Sequence, residues 1–177
     1  MKSRLYRFLT IMLFTSPIYA IPASWIKHCT DNNGTVEVMP AEFQTGGGTA
    51  YGFNQHFCTF DINGGFAVIG LETFASDKSN IAASFTATLP TIDKNSSLWK
   101  GPYANPSANV CKNLGGSSIG FNVASGGFSN RLGQCDVCVF GDGSMVSSWT
   151  LIYIANGREG YDKIRGAIQS TPLRLSY

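Results

Sequence analysis

The chain has 177 residues, 44% hydrophobic and only 14% charged, with 20 Gly, 12 Phe and 5 Cys. Its formal net charge of +2 includes three basic residues in the first seven positions; beyond them 10 Lys and Arg face 11 Asp and Glu, scattered singly. That distribution excludes the basic footprint of a nucleic-acid binder and charge-driven attachment to anionic lipid.

Lys2, Arg4 and Arg7 precede a short apolar stretch, Phe8 to Phe14, which Ser16-Pro17 interrupts before Ile18-Tyr19-Ala20. This order predicts a leader over residues 1–20 with cleavage after Ala20, or else after Ala23. The apolar stretch is far short of the roughly 20 residues that a spanning helix needs, so no transmembrane anchor is expected after cleavage. An exported chain meets an oxidising environment, and its cysteines then read as disulfides. The localisation that follows is exported, periplasmic or secreted.

After the leader, Pro22 to Cys29 predicts a helix, closed by Asn32-Asn33-Gly34. Strands are expected over Thr35 to Met39, Phe57 to Ile62 and Phe66 to Phe74, the last two joined by a hairpin at Asn63-Gly64-Gly65. Ile81, Ala83, Phe85, Ala87 and Leu89 then alternate with smaller residues, which predicts one more strand before Pro90. Residues 93–104 are polar, contain Gly101-Pro102 and read as a linker.

The second half repeats the plan. Asn105 caps a helix with Pro106 at its first position, and Gly115 supplies the left-handed residue that ends it after Leu114. Strands are expected over Ser117 to Val123, Asp136 to Phe140 and Met145 to Ile154, the last two flanking Gly141-Asp142-Gly143-Ser144. Glu159 to Gln169 predicts a short terminal helix. Gly46-Gly47-Gly48 and Gly126-Gly127 fall at the same place in the two halves.

Cys29 and Cys58 are 29 residues apart, and Cys111 and Cys138 are 27 apart. The repeated spacing predicts an α+β protein of two related units side by side. Each is a short helix plus a three-stranded antiparallel meander, stapled by its own disulfide. Residues 21–92 form the first unit with an added strand, and 105–177 the second with a C-terminal extension. At about 75 residues each, such units need staples, and in the chain-entropy model each bridge contributes roughly 3–4 kcal/mol.

Cys135 is the odd thiol, free or intermolecular, where it could link a dimer; pairing with Cys111 is the alternative. Cys135-Asp136-Val137-Cys138 has a redox spacing but lies in strand context, not at a helix N-terminus. His28 and His56 each lie within two residues of a first-half cysteine, so a bridge could bring them together. Asp142 reads as a turn residue. Trp149 reads as core on a strand. Trp99 and Tyr103 are the candidate ligand-binding pair, exposed at the junction. No metal or cofactor is expected.

Asn105-Pro106-Ser107, Cys111, Gly115-Gly116, Gly133, Cys138-Val139-Phe140, Asp142-Gly143-Ser144 and Trp149 together resemble a known family. It is the group of small exported bacterial cysteine-containing domains labelled hemolysin, whose function is unknown. The likeness covers residues 105–153, with a weaker copy over 22–74 that has Asn63-Gly64 in place of Asp-Gly-Ser and lacks the tryptophan. It implies an exported bacterial protein and no catalytic residues. The reading is a non-catalytic module, not an enzyme, that binds a protein, an envelope component or a glycan, a virulence-associated factor being one such role. The alternatives are a small secreted hydrolase using Cys135 or a carboxylate, and a membrane-active hemolysin.

Overall fold

The computed structural model describes residues 20–62, 65–122 and 134–175. Residues 1–19 of the expected leader, Asn63 and Gly64 of the expected hairpin turn, Val123, Gly126-Gly127 and Gly133 lie outside the described residues. In chain order the elements are α1 (Ala23–Asp31), β1 (Thr35–Thr45), β2 (Gly48–Ile62), β3 (Gly65–Gly70), α2 (Leu71–Ala75) and α3 (Ile81–Thr88), then α4 (Pro106–Asn113), β4 (Ser117–Asn122), β5 (Gln134–Val139), β6 (Met145–Ser147), α5 (Ser148–Ala155) and α6 (Asp162–Ala167). A single 3-10 turn, Ser97–Trp99, precedes α4.

The protein is mixed helix and strand, with both disulfides formed, Cys29–Cys58 and Cys111–Cys138. The strands, however, do not stay as two sheets side by side. They close into one barrel in the order β1-β2-β3-β6-β5-β4. β3 meets β6 at Ile69 opposite Val146, and β1 meets β4 at Ala41 opposite Phe121 and Glu42 opposite Gly120. A three-stranded meander leaves two open edges, and joining each edge to the other half satisfies those backbone groups.

Alternation along the strands sorts the apolar residues into two cores. Met39, Ala41, Phe57, Val68, Phe121, Val137 and Met145 fill the barrel. The outward set, including Cys58, Phe60, Ile69, Cys138, Phe140 and Val146, packs under the helices against Phe74, Phe85, Val110, Leu151 and Ile154. Strands buried on both faces read as unbroken apolar runs, which hides their ends in the sequence.

That ambiguity explains three differences from expectation. Phe66 to Phe74 leaves the sheet at Gly70 and continues as α2, and Met145 to Ile154 leaves it at Ser147 and continues as α5. Trp149 therefore sits on a helix and is exposed rather than core, stacked on Tyr153 at 5.6 Å. The expected strand over Ile81 to Leu89 is the helix α3. Ala82, Ala83, Ser84, Phe85 and Thr86 are all buried, so no amphipathic period is visible. Ser84, Thr86 and Thr88 spend their hydroxyls on the carbonyls of Asn80, Ala82 and Ser84, which lets polar residues lie in the core.

The stretch 93–104 joins the halves and is itself held down. Asn113 donates to the carbonyls of Ser97, Leu98 and Lys100, and Asn109 brackets Tyr103 through its backbone N–H and C=O. Gly46-Gly47 forms the turn of a long β1–β2 hairpin rather than a loop. Phe43, Tyr51 and Phe53 remain exposed on it. The terminal helix is shorter than expected, with Ile164 buried and Ile168 packed against the core.

Candidate functional site

Two of the clefts among the described residues adjoin the helices that cover the barrel. The larger, about 850 Å³, lies between the start of α1, the middle of β2, α2 and the β5–β6 turn. Trp25, Leu71, Thr73 and Met145 give it an apolar floor, and Gln55, His56, Glu72, Lys78, Asn80, Asp142 and Ser144 form a polar rim. The smaller, about 500 Å³, lies between α1, β2 and α6 and includes Asp61, Ile62, Lys163 and Ile164.

One wall of the larger cleft is locked by a cap built from both halves of the chain. The first three N–H groups of α3 have no intrahelical partner. Ile81 N–H donates to Asp142 Oδ2 at 2.8 Å, Ala82 N–H to Ser144 Oγ at 2.9 Å and Ala83 N–H to Asn80 Oδ1 at 2.8 Å. Ser144 also donates from its N–H and its hydroxyl to Asp142 Oδ1, at 3.0 and 2.6 Å. Burial pushes the Asp142 carboxyl up, but the donors on Ser144 and Ile81 outweigh it and hold the group below the usual carboxylate range. Thr73 adds a second tie, its hydroxyl accepting from Met145 N–H at 2.9 Å. Asp142 is thus a turn residue, as the sequence suggests, and a cap for a helix from the other half.

The rest of the rim is unspent. Among the described residues, Trp25 Nε1, the Gln55 amide, the His56 ring, the Glu72 carboxylate and the Lys78 ammonium have no hydrogen-bond partner. His28 is different. Its Nδ1 accepts from Gln169 at 3.1 Å, which leaves Nε2–H to donate to Ala167 O at 2.8 Å, and its ring lies 4.8 Å from Phe74. The two histidines are not brought together: His28 is engaged with α6 and the segment after it, while His56 lines the cleft.

Cys135 is free. It shares a strand face with Val137 and Val139 and packs against the barrel interior. The residue keeps some exposed surface, yet its sulfur is enclosed. That burial pushes the thiol up to about 12, the Ser147 hydrogen bond opposing and neighbouring Asp136 reinforcing. A nucleophilic or redox cysteine needs the opposite shift. Inside the barrel, Glu37 Oε1 accepts from Thr59 at 3.1 Å, and Glu37 Oε2 is enclosed without a partner among the described residues.

Trp99 and Tyr103, the pair expected to bind a ligand, stand apart from both clefts. Trp99 packs against the core and donates its indole N–H to Asp93 O at 2.8 Å. Tyr103 is exposed, with the Lys112 ammonium 5.7 Å from its ring centre. Trp25 is one of three tryptophans that suggest an aromatic ligand face in the sequence, whereas Gln55 and Glu72 carried no signal, because β2, α1 and α2 meet only in the fold. The Asp142-x-Ser144 spacing does carry one, since such a pair is suited to a backbone N–H cluster. Among the described residues, no group of three or more His, Cys, Asp and Glu could hold a metal ion, and no helix is long and apolar enough to cross a membrane. No family model, curated protein or solved structure matches the chain.

Proposed function

We propose that this is an exported bacterial protein, periplasmic or secreted, that acts without catalysis as a binding module and takes an envelope component in the 850 Å³ cleft. The observation that carries the reading is the set of unspent polar side chains around an apolar floor, in a cleft whose walls are fixed. A site with an apolar base and a few placed polar groups is the usual form of a small-ligand pocket. The Asp142–Ser144–Asn80 cap and the Cys29–Cys58 bridge hold elements on two sides of it, so little ordering is left for binding to cost.

The leader-like start and two intrachain bridges support export. The repeated element order and the two bridge corners support descent of both halves from one helix-plus-meander unit, in keeping with the resemblance to hemolysin-labelled domains. The enclosed thiol argues against the hydrolase reading through Cys135.

The test is retention of the mature protein on isolated bacterial envelopes. Wild-type protein is expected to cosediment, and Glu72→Arg and Trp25→Ala are expected to reduce the bound fraction at least about tenfold, the loss of one well-made contact or more. Equal retention of both variants, at unchanged thermal midpoint, would sink the reading.

A further inference from the structure

We infer that the ligand of this cleft is a neutral, hydroxyl-rich saccharide; the inference rests on the binding reading above and names its ligand class. Three features of the rim and floor lead there.

The first is charge. With the leader cleaved after Ala20, the Ile21 α-ammonium joins Lys78 on the rim against the carboxylates of Glu72 and Asp142, so the charged groups balance and favour neither an anionic nor a cationic ligand. The second is the mixture of unspent groups. Trp25 Nε1 and Lys78 only donate, Glu72 only accepts, and Gln55 and His56 do both. A hydroxyl both donates and accepts, so one sugar ring can satisfy donors and acceptors spread around a rim. Carboxylate and amide partners suit paired hydroxyls, and the charged ones make the stronger bonds. The third is the floor. Trp25 is half-buried with part of its ring still open to the cleft, and an indole face packs the apolar C–H side of a pyranose while its N–H reaches a hydroxyl. The remaining rim groups, Asp142, Asn80 and Ser144, are consumed by the α3 cap, so they shape the wall and leave recognition to the others.

The experiment titrates the mature protein with cellotetraose, maltotetraose and chitotetraose, and in parallel with a neutral Gly-Ser tetrapeptide and with dextran sulfate, by calorimetry. Indole fluorescence is followed in a Trp99→Phe, Trp149→Phe background, which leaves Trp25 as the reporter. At least one neutral saccharide is expected to bind and shift the Trp25 emission. Trp25→Ala is expected to weaken it about tenfold and Trp25→Phe only about threefold, because the aromatic face survives. Glu72→Gln, which lies at the surface and does not threaten the fold, should weaken it about tenfold through loss of charge-assisted bonds. Binding of the tetrapeptide or dextran sulfate in place of the sugars overturns the inference, and so does sugar binding that ignores both Trp25→Phe and Glu72→Gln. If no sugar binds while Glu72→Arg still abolishes envelope retention, the ligand class is wrong and the cleft reading stands. If retention is also unaffected, both fall.

Discussion

The two bridged corners of the molecule are built almost alike, and the places where they differ separate what the geometry demands from what it tolerates. In each, a helix carries the first cysteine and ends in a left-handed residue, Asn33 at φ 62° or Gly115 at φ 86°. Asn33 N–H bonds Thr30 O and Gly34 N–H bonds Cys29 O; Gly115 N–H bonds Lys112 O and Gly116 N–H bonds Cys111 O. Both are Schellman endings. In each, the next residue is glycine. A Cβ on Gly34 would clash with Cys58 Sγ and lie 2.8 Å from Cys29 Sγ, and one on Gly116 would clash with Cys138 Sγ and lie 3.0 Å from Cys111 Sγ. The sulfurs leave no room for a side chain there, whereas one residue earlier asparagine serves as well as glycine.

The sharpest way to break this likeness is to remove one bridge at a time. The loops closed are 29 and 27 residues long, so Cys29→Ser/Cys58→Ser and Cys111→Ser/Cys138→Ser should each cost about 3–4 kcal/mol and differ by only a few tenths. Urea titrations of the two variants measure this; a gap above about 1.5 kcal/mol would show the corners to be unequal. Next come Gly34→Ala and Gly116→Ala, each expected to cost about 2–3 kcal/mol by overpacking against the sulfurs and to raise the free-thiol count after oxidative refolding. A smaller effect is expected at the left-handed residues. Gly115→Ala should cost about 1 kcal/mol and Gly115→Asn clearly less, while Asn33→Gly should be near neutral.

The Asp142 cap has no such exact counterpart to lean on and gives a pH test. Its carboxyl is depressed in the folded protein, so its stabilisation is fully present above the unfolded value of about 3.9 and is lost as pH falls through the lower folded value. Asp142→Asn should therefore cost up to about 1 kcal/mol at pH 7, the scale of a lost N-cap discounted for solvent exposure, and the gap from wild type should close below about pH 4. A last comparison concerns matching rungs. Gln55 stands opposite Met39 and Cys135 opposite Phe121, each three rungs from its bridged cysteine. With its thiol pushed up to about 12, Cys135 should react with a thiol reagent at pH 8 far more slowly in native protein than in urea, and Cys135→Ser should leave the fold intact. Fast native labelling would contradict the enclosure.

Residue spacing alone determined a good deal here. The two cysteine pairs, the capped helix at Asn105-Pro106, the left-handed end at Gly115 and the strands around Cys58 and Cys138 all rest on local chemistry, and local chemistry is written in adjacent residues. Tertiary structure decided the rest. Whether Leu71 or Ser148 continues a strand or begins a helix depends on where the neighbouring sheet stops, because both segments are mostly buried, with Glu72 and Trp149 as their exposed residues. Whether two meanders stand apart or close into a barrel depends on which open edges can meet. The cleft likewise draws Trp25, Gln55 and Glu72 from three elements, and Asp142 caps a helix more than sixty residues before it in the chain. No pattern of spacing encodes such partners, since what joins them is burial and hydrogen bonding between segments that only folding brings into contact.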